Sequence, residues 1–470
     1  MGDLDRRSRR ESYFVRVVNR RPLVAITLAL GAGLAALAVS CGGERHAPVD
    51  FVTFRLGGRT SAKALRGRPY NQSARNITNA ELRRFGAGAD VFDHDYTEAD
   101  GLGPVYDEVG CLGCHRDGQQ QPHAQVGPAG LIVRVSAPGV GEHGGPVPEP
   151  TYGLQMQTRA TPQGVAEASI SPRRVPVQHR WVNGDRTTLY RLDPRLVPLQ
   201  GPLAPGAEIS LRMAPPVIGL GLLEAVDERD LERAADPADA DHDGISGKVN
   251  HVWDAVAGRM AIGRFGWKAG QPTVAQQSTV ALHDDVGVTT PVDPDPCAHQ
   301  GTACSAPDVP PELSQSSLDD MIFYNRTIAV PIARNVGRRS TRDGASLFAT
   351  VGCAGCHTPT QHSSSSDIAA LADETFHPYT DLLLHDLGAR LDDGRREYLA
   401  SGREWRTAPL WGIGRRSEVT GSNGLLHDGR ARTVTEAVLW HDGEAKQARL
   451  RFEGLSRGDR NDLLAFVNTL

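Results

Sequence analysis

Two short segments hold the residues best suited to chemistry, Cys111-Leu112-Gly113-Cys114-His115 and Cys353-Ala354-Gly355-Cys356-His357. In a Cys-x-x-Cys-His segment both thiols can add to the vinyl groups of a haem, while the adjacent His takes the iron from the proximal side. A zinc half-site would ask for a second Cys or His pair at finger or ribbon spacing. A redox dithiol would ask for a thioredoxin-like βαβ setting. Neither accompanies either copy, so two covalently bound haem c groups are expected. Cys111, Cys114, Cys353 and Cys356 would hold them, with His115 and His357 as proximal ligands.

The other cysteines speak to compartment. Seven arginines between Arg6 and Arg21 precede an apolar run from Leu23 to Val39, which ends in Ala38-Val39-Ser40-Cys41. Small residues before a Cys resemble the lipobox of a bacterial lipoprotein, which makes residues 1–41 a signal peptide and Cys41 a lipid carrier. The competing reading is an uncleaved membrane anchor. On either, the globular part faces the periplasm from a membrane, the outer membrane by preference. Cys297 and Cys304 remain, and in an oxidising compartment they most simply form a disulfide closing a surface loop. The net charge is −5 and the basic residues are dispersed after residue 50. Nothing there points to nucleic acid.

The elements that must position the motifs read as a repeat. Gly103-Pro104-Val105-Tyr106 ahead of Cys111 parallels Gly344-Ala345-Ser346-Leu347-Phe348 ahead of Cys353. Arg212-Met213-Ala214-Pro215 ahead of Gly219-Leu220-Gly221 echoes Arg406-Thr407-Ala408-Pro409 ahead of Gly412-Ile413-Gly414. Leu463, Leu464, Phe466, Val467 and Leu470 fall at helical spacing and suggest a closing C-terminal helix. The fold class expected is mainly α, two cytochrome c-like domains, the N-terminal one enlarged by loops and a small β element around 131–135 and 180–182. With 51 Gly and 31 Pro, the chain should be loop-rich. Residues 42–85 read as a linker, 86–330 as the first domain and 331–470 as the second.

Between the halves, Asp239, Asp241 and Asp243 alternate before Gly244, and Asn250 falls where an EF-hand loop places its last ligand. Calcium is a candidate there. The competing reading is an acidic solvent turn.

Beyond these features, Arg406-Thr407-Ala408-Pro409-Leu410 and Leu426-His427-Asp428-Gly429-Arg430 resemble the C-terminal signature of bacterial dihaem cytochrome c peroxidases. A fuller resemblance is to their relatives, the dihaem or thiol-oxidoreductase-like oxidoreductases. It rests on Ala214 to Ala225, Gly263-Arg264-Phe265-Gly266-Trp267-Lys268, His377 to Asp386 and Trp440-His441-Asp442-Gly443-Glu444. The resemblance implies that His441 stands where the peroxidases place a Met ligand, so His357 and His441 would both bind the second iron. His427 and His385 are rivals for that place. For the first iron, His123, His143, Met156 and Met213 are candidates, and an open position is equally consistent. Glu224 resembles the peroxidase glutamate and is the candidate acid and base. The competing reading is an ordinary Glu at a helix start.

These readings converge on an exported, peroxidase-like oxidoreductase that passes electrons from a C-terminal bis-His haem to an N-terminal substrate-binding haem. Its partners would be a small redox substrate such as peroxide, or a redox protein acting as electron donor, and a membrane through the lipid anchor. The alternative is a pure electron carrier with no catalytic site. A surface module that merely retains haem is a third.

Overall fold

Two helix crossings organise the fold, and each turns on a glycine. The computed structural model describes residues 53–65, 67–116, 130–297, 310–421 and 424–470. Helix α1 (Asn79–Phe92) starts at a capping box, in which Thr78 Oγ1 accepts from Glu81 N and the Glu81 carboxylate accepts from Thr78 N. The three-stranded sheet, in order β2-β1-β5, is built from β1 (Leu131–Ser136), β2 (Gln155–Met156) and β5 (Glu208–Met213). A long hairpin, β3 (Ala168–Arg180) and β4 (Arg186–Pro198), leaves this sheet region with Arg180 opposite Arg186 at its tip. Helix α2 (Gln315–Thr327) then returns to α1, and α3 (Arg339–Val351) opens the second half. The chain closes with α4 (Val434–Trp440), α5 (Lys446–Gly454) and α6 (Arg457–Val467).

Helix α1 crosses α2 as α3 crosses α6. A Cβ on Gly88 would overlap the carbonyl oxygen of Asp320, and one on Gly344 would overlap that of Asp462. Only glycine lets the backbones approach so closely. Aromatic residues occupy matched positions at each crossing, Phe92 against Tyr324 at 5.2 Å and Phe348 against Phe466 at 5.4 Å. The two Gly-x-Gly segments meet each other. A side chain on Gly219 would strike Trp411, and one on Gly412 would strike Ile218. Each glycine N–H donates to the carbonyl just beyond its own closing helix, Gly219 to Ile328 and Gly412 to Leu470, both at 2.9 Å. The halves thus share one packing pattern and meet at these segments within the unit Asp50–Leu470.

Four expectations change. The fold is not mainly α: the chain is 31% helical and 21% strand, with several sheets, and so mixes both classes. Much of the added β content is the hairpin β3–β4, whose Arg and Pro residues hide its period. The described part of the supposed linker is packed structure, since Leu56 is fully buried and Tyr70 donates to the Gly412 carbonyl at 2.5 Å. Finally, the counterpart of Gly344 and Phe348 is Gly88 and Phe92. Gly103 to Tyr106 instead forms a turn and a short strand, paired with Arg159 and Ala160. The fourth change, at Asn250, concerns the acidic loop described below.

Candidate functional site

A single cavity of about 620 Å³ is lined by both motifs, Cys111, Cys114 and His115 from one half and Cys353, Cys356 and His357 from the other. The four thiols are free, and burial pushes those of Cys111 and Cys353 up to about 12. Cys297, by contrast, is disulfide-bonded. Cys304, Cys41 and His123 lie outside the described residues.

Three imidazoles are oriented alike. Nδ1 of His115 bonds the Pro215 carbonyl at 2.9 Å, that of His357 the Tyr379 carbonyl at 3.0 Å, and that of His441 the Ala437 carbonyl at 2.7 Å. A carbonyl facing Nδ1 accepts a hydrogen bond from Nδ1–H, which keeps the proton on that nitrogen and leaves Nε2 as a lone-pair donor, the arrangement of a metal-bound histidine. Burial lowers all three below the ordinary value. His357 falls to about 4, burial first and the neighbouring His441 contributing. All three rings line the cavity. Phe92 and Phe348 stand over the rings of His115 and His357 at 6.3 and 6.4 Å.

The rivals separate cleanly. Both nitrogens of His385 are occupied, Nε2 by Asp381 at 2.8 Å and Nδ1 by Glu444 at 2.7 Å. Burial disfavours charge on that ring, but the two carboxylates outweigh it and raise its basicity far above the ordinary value, and neither nitrogen is left unbonded. His427 stays on the cavity wall, stacked on Trp405 at 3.8 Å, with burial lowering it to about 4. Met213 also lines the cavity. Met156 does not, being fully buried in the cluster around Val133 and Tyr152. His143 stacks on Trp253 at 3.7 Å, away from it.

The cavity also holds cations that ask for anions. Arg406 is buried, its guanidinium bonded among the described residues only to the carbonyls of Gly266 and Thr407, and burial lowers it to about 10. Arg416 is buried with no carboxylate partner among the described residues, and burial lowers it too. Two buried guanidiniums facing one cavity suit the carboxylate arms of a haem. Free thiols, Nδ1-anchored imidazoles and these cations together fit the cofactor that the motifs imply.

Glu224 stands elsewhere. It pairs with Arg326 at 2.6 Å and accepts from Val274 N at 2.7 Å, capping the helix Val274–Ala281, and it does not line the cavity. The carboxyl that lines the cavity beside the first motif is Asp285, in the π-helical turn Leu282–Val286. Gln155 Nε2 bridges it to Asp107, donating at 2.7 and 2.9 Å. Burial raises Asp285 to about 6 and Asp107 to about 7, and Asp285 pushes Asp107 further in the same direction. No sequence signal distinguishes Asp285, because its place on the cavity wall comes from long-range packing against β2.

The acidic loop loses its expected closing ligand. Asn250 is buried, donating to the carbonyls of Lys268 and Glu397 and accepting from Leu399 N. Counting along the chain put it in the loop, whereas its backbone enters the core at β6 (His251–Asp254). Asp239 and Asp241 instead lie close to Asp236, and Asp243 accepts from Ile245 N at 2.8 Å.

Residues 204–470 match the family described as "Di-haem oxidoreductase, putative peroxidase". No curated protein matches the chain. A solved structure of Kuenenia stuttgartiensis hydrazine synthase, pressurised with 20 bar xenon, aligns at 18% identity and a TM-score of 0.21. The alignment covers 34% of this chain and 57% of that one, too slight a likeness to bear on the fold.

Proposed function

The chain belongs to the di-haem oxidoreductase family, and from that premise we propose an exported, peroxidase-like enzyme. Electrons enter at the C-terminal site and are spent on a small oxidant, peroxide being the type, at the N-terminal one. Haem, when bound, supplies one-electron iron chemistry. Cys111 with Cys114, and Cys353 with Cys356, would hold it by thioether bonds. His357 and His441 would bind the iron at the second site, and His115 at the first. Asp285, a half-buried carboxyl on the cavity wall beside the first motif, fills the acid-base role first read onto Glu224. Gln155 donates to both Asp285 and Asp107 and so holds the two carboxyls side by side, with Asp285 placed to give and take a proton. The N-terminal segment with Cys41 carries the protein to the periplasmic side and anchors it by lipid. No helix among the described residues is long and apolar enough to cross a membrane.

The reading is carried by one observation, the cavity that both motifs and His441 share. Electron paramagnetic resonance of the ferric protein tests it: one low-spin and one high-spin signal are expected, with cyanide converting only the high-spin one. Two low-spin signals indifferent to cyanide would favour the pure electron carrier, for which Met213 and His427 on the cavity wall are the ready closing ligands.

A further inference from the structure

The hairpin β3–β4 is a cationic arm laid over the second site. It carries Arg173, Arg174, Arg180, Arg186, Arg191 and Arg195, all exposed. Its acids are Asp193, which pairs with Arg173, and Asp185 in the turn. Among the described residues, only Arg173 of the six forms an ion pair. In a chain of net charge −5 such a concentration of one sign is a local feature. It also costs stability, because Arg180 and Arg186 are direct cross-strand partners.

The arm is fixed where it would matter. His179 Nε2 meets Glu453 Oε1 at 3.1 Å and Val182 N donates to Glu453 Oε2 at 3.0 Å, tying the tip to α5. Arg460 lies over the Trp181 ring at 4.8 Å. Leu189, fully buried, packs in one cluster with Leu439 and Trp440 of α4, the helix whose C-terminal cap is His441. The edges are poor templates for another strand, since Pro176, Pro194 and Pro198 have no N–H to offer. Recognition would therefore run through side-chain charge.

We infer that the β3–β4 ribbon is the docking surface for an acidic redox protein that delivers electrons to the second site. This rests on the electron entry assigned above. Charge complementarity steers such encounters and makes them sensitive to salt, speeding association by tenfold or more.

The test is stopped-flow reduction of the haem-loaded protein by a reduced acidic flavodoxin, with a reduced lysine-rich cytochrome c as control. The flavodoxin rate constant should fall steeply from low to physiological ionic strength. In R180E/R186E it should drop by about tenfold or more at low salt. Reduction by dithionite should stay as fast as in the unaltered protein. The milder pair R191Q/R195Q guards against misfolding and should show a smaller drop of the same kind. Equal flavodoxin rates in all variants would overturn the inference. So would loss in the variants of binding to phosphatidylglycerol vesicles with no change in flavodoxin rate, which would make the ribbon a membrane contact. Failure of dithionite itself to reduce the protein would instead overturn the proposed function.

Discussion

The two halves share a frame and differ in what they hang on it. In both, a glycine-tight helix crossing presents an aromatic ring to the histidine that follows two cysteines. The second half then adds His441 from the end of α4, close enough to His357 to depress its basicity. The first half has no such partner from its own closing helix. It has instead the sheet β2-β1-β5 and the carboxyls Asp107 and Asp285, linked through Gln155. On the proposed reading, a doubly ligated iron suits electron storage and a site with linked carboxyls suits chemistry on a substrate, so the frame would set where a cofactor sits and the insertions what it does.

That contrast can be broken in several ways. The largest effect is expected at the attachment sites: Cys111→Ala and Cys353→Ala should each remove one covalent haem, read as a loss of one haem mass from the intact protein. Material keeping both would end the c-type assignment. Next, His441→Met should raise the potential of the second site by on the order of 0.1 V in a redox titration and leave the first unchanged. An unchanged second potential would move the ligand to His427. Leu at Gly88 or at Gly344 should cost about 3 kcal/mol or more in denaturant melts, since backbone carbonyls stand where the new side chain must go. Equal losses at both positions would sharpen the equivalence of the crossings.

The smallest effect is in pH dependence. The unfolded chain gives up the protons of Asp107 and Asp285 near pH 4, whereas the folded chain holds them to about 7 and about 6. Between those values the native state binds more protons, so stability falls as pH rises. Asp107→Asn should flatten the melting temperature against pH over that window by about one proton's worth of slope. An unaltered slope would mean that Asp107 ionises normally.

What the chain reveals by reading alone follows the distance over which each feature is encoded. The haem motifs, the echo of Arg212-Met213-Ala214-Pro215 in Arg406-Thr407-Ala408-Pro409 and the helical run at Leu463 to Val467 are local, and all were legible. Gly88 was missed because its segment lies much farther from Cys111 than Gly344 does from Cys353. A nearer Gly and Tyr took its place. Strands β3 and β4 were mostly invisible because Arg and Pro interrupt any apolar alternation. Asn250 was placed by offset and Glu224 by resemblance, and neither carries information about which way a side chain faces. Asp285 could be found only by folding the chain.

The reciprocal fit of Gly219 against Trp411 and Gly412 against Ile218 works as a dovetail. Neither half can slide or tilt without driving a ring or a branched side chain into main chain. Gating tied to the oxidation state would therefore fall to loops at the cavity rim, and the spacing between the two cofactor seats should stay constant through a turnover.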